Sequence, residues 1–126
     1  MKILSVDDSR MIRRLIGSAI SVMGFDVLEA GDGKQALAVL ETEYPNVGLI
    51  MLDWNMPEMD GYECLVAIKA DERFKHIPVM MCTTESEREN VIKAIKAGAK
   101  SYVSKPFTPE DLVTKIMECL GQGLDL

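Results

Sequence analysis

Histidine is almost missing from this chain of 126 residues, His76 being the only one. The three cysteines, Cys64, Cys82 and Cys119, are odd in number, lack metal-ligand spacing and each sit in an apolar run. A zinc site and a disulfide framework are therefore both disfavoured, and small buried thiols are expected instead. Long apolar stretches are lacking too. The opening Met1-Lys2-Ile3-Leu4-Ser5-Val6 runs straight into Asp7-Asp8, too short for a signal peptide or a membrane span. A cytoplasmic protein with no membrane attachment is expected. Positive charge is scarce overall: 14 basic residues against 20 acidic ones give a net charge of -6. That balance argues against general affinity for DNA or anionic membranes, so no nucleic-acid partner is expected.

What is present is ordinary for a soluble globular chain, with 48% hydrophobic and 27% charged residues. Its length fits a single domain, 1–126, and shows neither a linker nor an internal repeat beyond one alternation. Short apolar runs rich in β-branched residues alternate with segments of helical period. The strands expected are Lys2 to Val6, Asp26 to Ala30, Val47 to Leu52, Ile77 to Cys82 and Ser101 to Ser104. This is the pattern of an α/β fold, a doubly wound parallel sheet covered on both faces. The third run is the most continuously apolar and belongs at the centre. Ile12, Leu15, Ile16, Ala19, Ile20 and Met23 form one stripe of a first helix that stops at Gly24. Three more helices follow. The fourth of the series runs from about Glu87 to Ala97 with Gly98 as its cap, and a fifth opens at Thr108-Pro109-Glu110-Asp111.

Ligands of open parallel sheets bind outside the carboxyl ends of the strands. Those ends read Asp7-Asp8, Asp53, Thr83 and Lys105-Pro106. Crowded carboxylates raise one another's pKa and need cations, which Lys105 and a divalent metal would supply. Oxygen-only donors favour a hard ion, magnesium. Asp53, at the end of the most buried strand, is the best-placed nucleophile toward phosphorus, because phosphoryl transfer needs chiefly positioning and charge neutralisation. Thr83 and Lys105 can donate to a phosphoryl oxygen. The sole histidine, His76, lies at the opposite end of the sheet and is given no part in the site.

Taken together, Asp7-Asp8-Ser9, Asp53-Trp54-Asn55-Met56-Pro57 with Asp60-Gly61, Thr83, and Tyr102-Val103-Ser104-Lys105-Pro106-Phe107 resemble the response regulator receiver domain, and its single-domain chemotaxis members in particular. The resemblance implies a flavodoxin-like (βα)5 sheet of order 2-1-3-4-5 and phosphorylation of Asp53 by the phosphohistidine of a sensor histidine kinase. It implies Mg2+ held by Asp8, Asp53 and the Asn55 backbone carbonyl, with Asp7 acting through water. Lys105 would bond the phosphoryl group, and the Lys105–Pro106 peptide would be cis. Thr83 and Tyr102 would form the switch, while Asn55 and Glu85 would tune the lifetime of the acyl phosphate.

Such a protein promotes its own phosphorylation and dephosphorylation without being a conventional enzyme. Its expected listener is a flagellar motor switch protein, or, in a phosphorelay, a histidine phosphotransfer protein; a monomer is expected. The basic residues Arg88, Lys93, Lys96, Lys100, Lys105 and Lys115 suggest a surface for an acidic or amphipathic partner. Two further readings are the receiver portion of a longer transcriptional regulator and an aspartate-nucleophile phosphatase. Asn55 counts against the latter, because such phosphatases commonly carry a second aspartate two residues after the nucleophile.

Overall fold

The computed structural model describes residues 1–84 and 88–121. Five strands alternate with five helices: β1 (Lys2–Val6), α1 (Arg10–Val22), β2 (Asp26–Ala30), α2 (Gly33–Glu43), β3 (Val47–Asp53), α3 (Gly61–Ala70), β4 (Val79–Thr84), α4 (Arg88–Lys96), β5 (Ser101–Lys105) and α5 (Pro109–Leu120). All ladders are parallel, and the strand order is β2-β1-β3-β4-β5. The most apolar run, β3, is thus the central strand, as its composition implied.

Successive side chains of a strand point to opposite faces, so each strand feeds two cores. Leu4, Val6, Ile50, Leu52, Val79 and Met81 meet Leu40 of α2, Leu65 and Ile68 of α3, and Ala94 of α4. Ile3, Leu49, Met51, Met80 and Val103 meet Ile16 and Ile20 of α1, and Leu112 and Ile116 of α5. Burying one such aliphatic side chain is worth about 1.5–3 kcal/mol, which is why these stripes fix the sheet against its helices. The first helix's stripe is narrower than its spacing suggests: Ile16, Ala19 and Ile20 are buried, but Leu15 stands 40% exposed. All three cysteines are buried and unbridged, as expected. Among the described residues, no helix is long and apolar enough to cross a membrane.

Local chemistry sets the helix starts. The Asp32 carboxylate accepts from the Gln35 N–H at the head of α2. Reciprocal capping boxes, Asp60 with Glu63 and Thr108 with Asp111, open α3 and α5. Gly98, at φ 113°, takes the left-handed conformation after α4.

Three strands differ from their sequence-based bounds, β5 by running one residue further, to Lys105. Pairing in β4 begins at Val79 because Pro78 has no N–H to donate, and it continues through Thr84, opposite Lys105. In β3 the ladder runs on to Asp53, opposite Cys82. Asp53, Thr83 and Lys105 are therefore paired strand residues held by the sheet itself, rather than loop residues beyond it. The expected start of the fourth helix, Glu87, lies outside the described residues.

Candidate functional site

Sheet order reverses between β1 and β3: the chain steps outward from β1 to β2, then crosses back to β3. The carboxyl ends of these two adjacent strands carry Asp7-Asp8 and Asp53. Three contacts shape the first turn. The Asp7 N–H donates to the Ala30 carbonyl at 3.1 Å, the Asp7 carbonyl accepts from the Arg13 guanidinium, and Asp7 Oδ1 accepts from the Ser9 N–H at 2.9 Å. Ser9 in turn caps α1 through the Ile12 N–H. The result is a divided pair, with Asp7 buried at 1% exposure and Asp8 open to solvent.

Lys105, the last residue of β5, reaches across to both Asp7 and Asp53. Its Nζ donates to Asp7 Oδ2 and to Asp53 Oδ1, each at 2.9 Å. Burial pushes the Asp53 carboxyl up to about 6, with the Lys105 hydrogen bond opposing that rise and the charges of Asp7 and Asp8 adding to it. Burial also works against the Lys105 ammonium, yet its hydrogen bonds to Asp7 and Asp53 outweigh this and hold its pKa above the ordinary value. Oxygens of Asp7, Asp8 and Asp53 lie within 4.8 Å of one another, so three carboxylates gather beside Lys105. This excess of anionic oxygen, with no nitrogen or sulfur donor in the cluster, fits a hard divalent cation.

Asp53 leads into the segment 54–60. The Gly61 N–H closes that loop on the Trp54 carbonyl at 2.8 Å. A Cβ at position 61 would stand 2.2 Å from the Asp53 carbonyl oxygen, so only glycine lets α3 begin against the end of β3. Trp54 is buried at 8% exposure and stacks obliquely on Tyr62, with 5.7 Å between ring centroids; it is a core plug, not a loop aromatic. Asn55 is exposed beside the cluster in sequence.

Thr83 is 2% exposed, and among the described residues its Oγ1 has no hydrogen-bond partner. A buried hydroxyl without a partner is costly and calls for a ligand atom to satisfy it. Met81 pairs with Tyr102 and Thr83 with Ser104, which puts Tyr102 and Thr83 on the same sheet face. Tyr102 is 39% exposed, with Lys115 Nζ 5.4 Å from its ring centroid. Glu85 lies outside the described residues. The Lys105–Pro106 peptide is cis.

A family model described as the response regulator receiver domain matches residues 3–117. The chain belongs to that family. Among curated relatives, this receiver is 45% identical to chemotaxis protein CheY1 of Helicobacter pylori over 122 residues, covering 96% of the chain and 98% of the relative. It is 46% identical to chemotaxis protein CheY of Pseudomonas aeruginosa, covering 92% of the chain and 93% of that protein. Among solved structures, chemotaxis response regulator CheY4 of Vibrio cholerae superposes with a TM-score of 0.88 at 34% identity, covering 94% and 98% of the two chains.

Two residues of the receiver site carry roles that their sequence context does not announce. By spacing, Arg13 falls on the solvent face of α1, yet it bonds the Asp7 carbonyl and pairs with Glu29 at 3.0 Å. Its place in the first turn and a half of a helix that begins at the acid pair is the available signal. Gly61 reads as a turn residue, whereas its role is close approach to Asp53. The basic stretch also changes character. Besides Lys105, Lys93 lies 4.2 Å over the Tyr62 ring, Lys115 lies over Tyr102, and Lys100 donates to the Cys119 carbonyl. Much of that charge is thus engaged within the fold.

Proposed function

We propose that this receiver is a CheY-like response regulator of chemotaxis whose Asp53 accepts a phosphoryl group from the phosphohistidine of a sensor histidine kinase. The observation that carries the assignment is Lys105 shared between Asp7 and Asp53 inside a three-carboxylate cluster. One Asp53 oxygen attacks phosphorus, the new O–P bond forms as the P–N bond breaks, and the imidazole leaves with the electron pair and takes up a proton.

Mg2+ would be held by Asp8, Asp53 and the Asn55 carbonyl, and when bound it supplies positive charge to the acids and the incoming phosphoryl group. Asp7, already holding Lys105 and the Ser9 N–H, would support it through water. Lys105 then turns from bridging two carboxylates to bonding the phosphoryl group. The buried Thr83 hydroxyl gains a phosphoryl oxygen to donate to. Movement of Thr83 vacates space on the face it shares with Tyr102, whose ring then turns inward and changes the outer surface. Asn55 and Glu85 set how long the acyl phosphate lasts. The receiver thereby promotes its own phosphorylation and dephosphorylation, and acts as a cytoplasmic monomer on a flagellar motor switch protein.

Intact-mass measurement after treatment with Mg2+ and acetyl phosphate is the test. Wild type should gain one phosphate, and Asp53→Asn none; an equal gain in Asp53→Asn would refute the assignment. Lys105→Ala should still take up phosphate but show no phosphate-dependent rise in binding to a motor-switch peptide. Return of the group to a phosphotransfer domain, with no gain in peptide affinity for wild type, would mark a relay instead.

A further inference from the structure

The segment 54–60 is held at its ends by neighbours in the sheet and in α3, the Trp54 N–H donating to the Cys82 carbonyl at 3.2 Å and Asp60 capping α3, but its apex is held from elsewhere. Near its apex, Glu58 takes a left-handed φ of 65° and the Met59 N–H donates to the Pro57 carbonyl at 2.7 Å, the signature of a tight and strained three-residue turn. What holds that turn is the head of α2. The Gly33 N–H, one of the donors that a helix start leaves unused, donates to the Met59 carbonyl at 3.3 Å. Gly33 is buried. A Cβ there would stand 2.7 Å from Met59 Cγ, 2.9 Å from Met59 Cβ and 2.9 Å from the Met59 carbonyl oxygen. Glycine is required by this close approach. Cys64 Sγ of α3 lies 3.8 Å from the Gly33 carbonyl on the other side, and Lys34 Nζ lies 3.7 Å from Glu58.

We propose that Gly33 is a positioning residue for the metal centre: by latching the Met59 carbonyl it fixes the 54–60 loop, and with it the Asn55 carbonyl, in the arrangement that Mg2+ binding requires. The inference rests on the receiver reading, since it presumes that Mg2+ binds at Asp8, Asp53 and Asn55. Gly33 touches neither ion nor phosphoryl group. It acts through the loop, from a helix that carries none of the acidic cluster. An alanine at this position must push Met59 away through both its side chain and its backbone, so the loop loses the latch at its apex.

Gly33→Ala is compared with Ile20→Val, a mild core change on the opposite face of the sheet. Mg2+ affinity is read from Trp54 fluorescence, and loop order from amide hydrogen exchange in the metal-free protein. Gly33→Ala should weaken Mg2+ binding about tenfold and speed exchange across 54–60 by a similar factor, while Ile20→Val leaves the Mg2+ affinity within about twofold. Coupling is reciprocal, so in wild type saturating Mg2+ should slow exchange of the Gly33 amide by about the same factor, a reading that survives even if the alanine variant fails to fold. An unchanged Mg2+ affinity in folded Gly33→Ala, or a Gly33 amide indifferent to Mg2+ in wild type, would overturn the positioning role and leave the receiver reading intact. Failure of wild type to bind Mg2+ at all would overturn both.

Discussion

The two ends of the sheet use the same kinds of charged residue in opposite ways. At the amino-terminal end, ions are matched: Arg73 pairs with Glu41 and with Asp71, Lys2 with Glu43 at 3.0 Å, and Lys75 with Glu72 at 2.8 Å. Lys69 there donates to the Lys75 and Ile77 carbonyls at 3.0 and 2.8 Å, closing the 71–78 loop onto α3. At the carboxyl-terminal end, three carboxylates gather beside Lys105, and among the described residues the buried Thr83 hydroxyl finds no partner. A matched end needs nothing more, whereas a mismatched end has room for the cation and the phosphoryl group proposed above. Charges that hold the fold are in this way set apart from charges that await a ligand.

The largest test of that comparison removes Lys105 from the mismatched end. Without metal, Lys105→Ala leaves Asp7 and Asp53 facing each other in a buried site, and should cost about 2–4 kcal/mol of stability above about pH 7. The loss should shrink on acidification, as Asp53 protonates and no longer needs a counter-charge. Denaturant unfolding across pH measures it; a pH-independent loss would mean that Lys105 acts by packing alone.

Asp53→Asn should move stability the other way. Because the folded-state pKa of Asp53 is raised to about 6, the folded chain retains a proton that the unfolded chain has already released between about pH 4 and pH 6. Wild-type stability therefore falls as pH rises through that window, and stays lowered above it. Asparagine abolishes the fall, so the metal-free variant should be more stable than wild type by roughly 1–3 kcal/mol at about pH 8 and little different at about pH 4. Equal stability at both would show that the acids are not in conflict. Smaller still is the effect on the ion: protons compete with Mg2+ for Asp53, so the apparent Mg2+ affinity should drop by up to about tenfold per pH unit below about pH 6, and a flat titration would remove Asp53 from the metal set.

How much of this is legible before folding depends on which residues carry a local signal. Strand ends punctuate the apolar runs, so Asp7, Asp8, Asp53, Thr83 and Lys105 stand out together, and the capping residues at Thr108 and Gly98 are readable from composition. The centrality of β3 follows from its unbroken apolar character. What sequence cannot supply is anything decided by approach between elements distant in the chain. Gly33 and Met59 meet across a helix and a strand, Arg13 folds back from a face that looks solvated, and the Cβ-sized gap at Gly61 exists only once α3 is seated on β3. The basic stretch is another case, because Lys93, Lys100 and Lys115 find aromatic and carbonyl partners that spacing alone does not reveal.

The smallest effect expected belongs to the matched end. Hydrogen bonds from Arg73 hold the Glu41 and Asp71 carboxyls below their usual pKa range, so their contribution is complete above the unfolded value near pH 4 and is lost as pH falls through the lower folded values. That dependence has the opposite sign to Asp53. Exposed pairs are screened by water and salt, so Arg73→Ala should lower stability only slightly, less so in high salt, and not at all once the medium is acid enough to protonate both partners. The substitution should leave Mg2+ affinity and phosphate uptake unaltered, because the sheet separates the two ends. Intact-mass and fluorescence titrations on Arg73→Ala measure both: a change in either would mean that the matched end participates in the switch, and the division drawn between the two ends would fail.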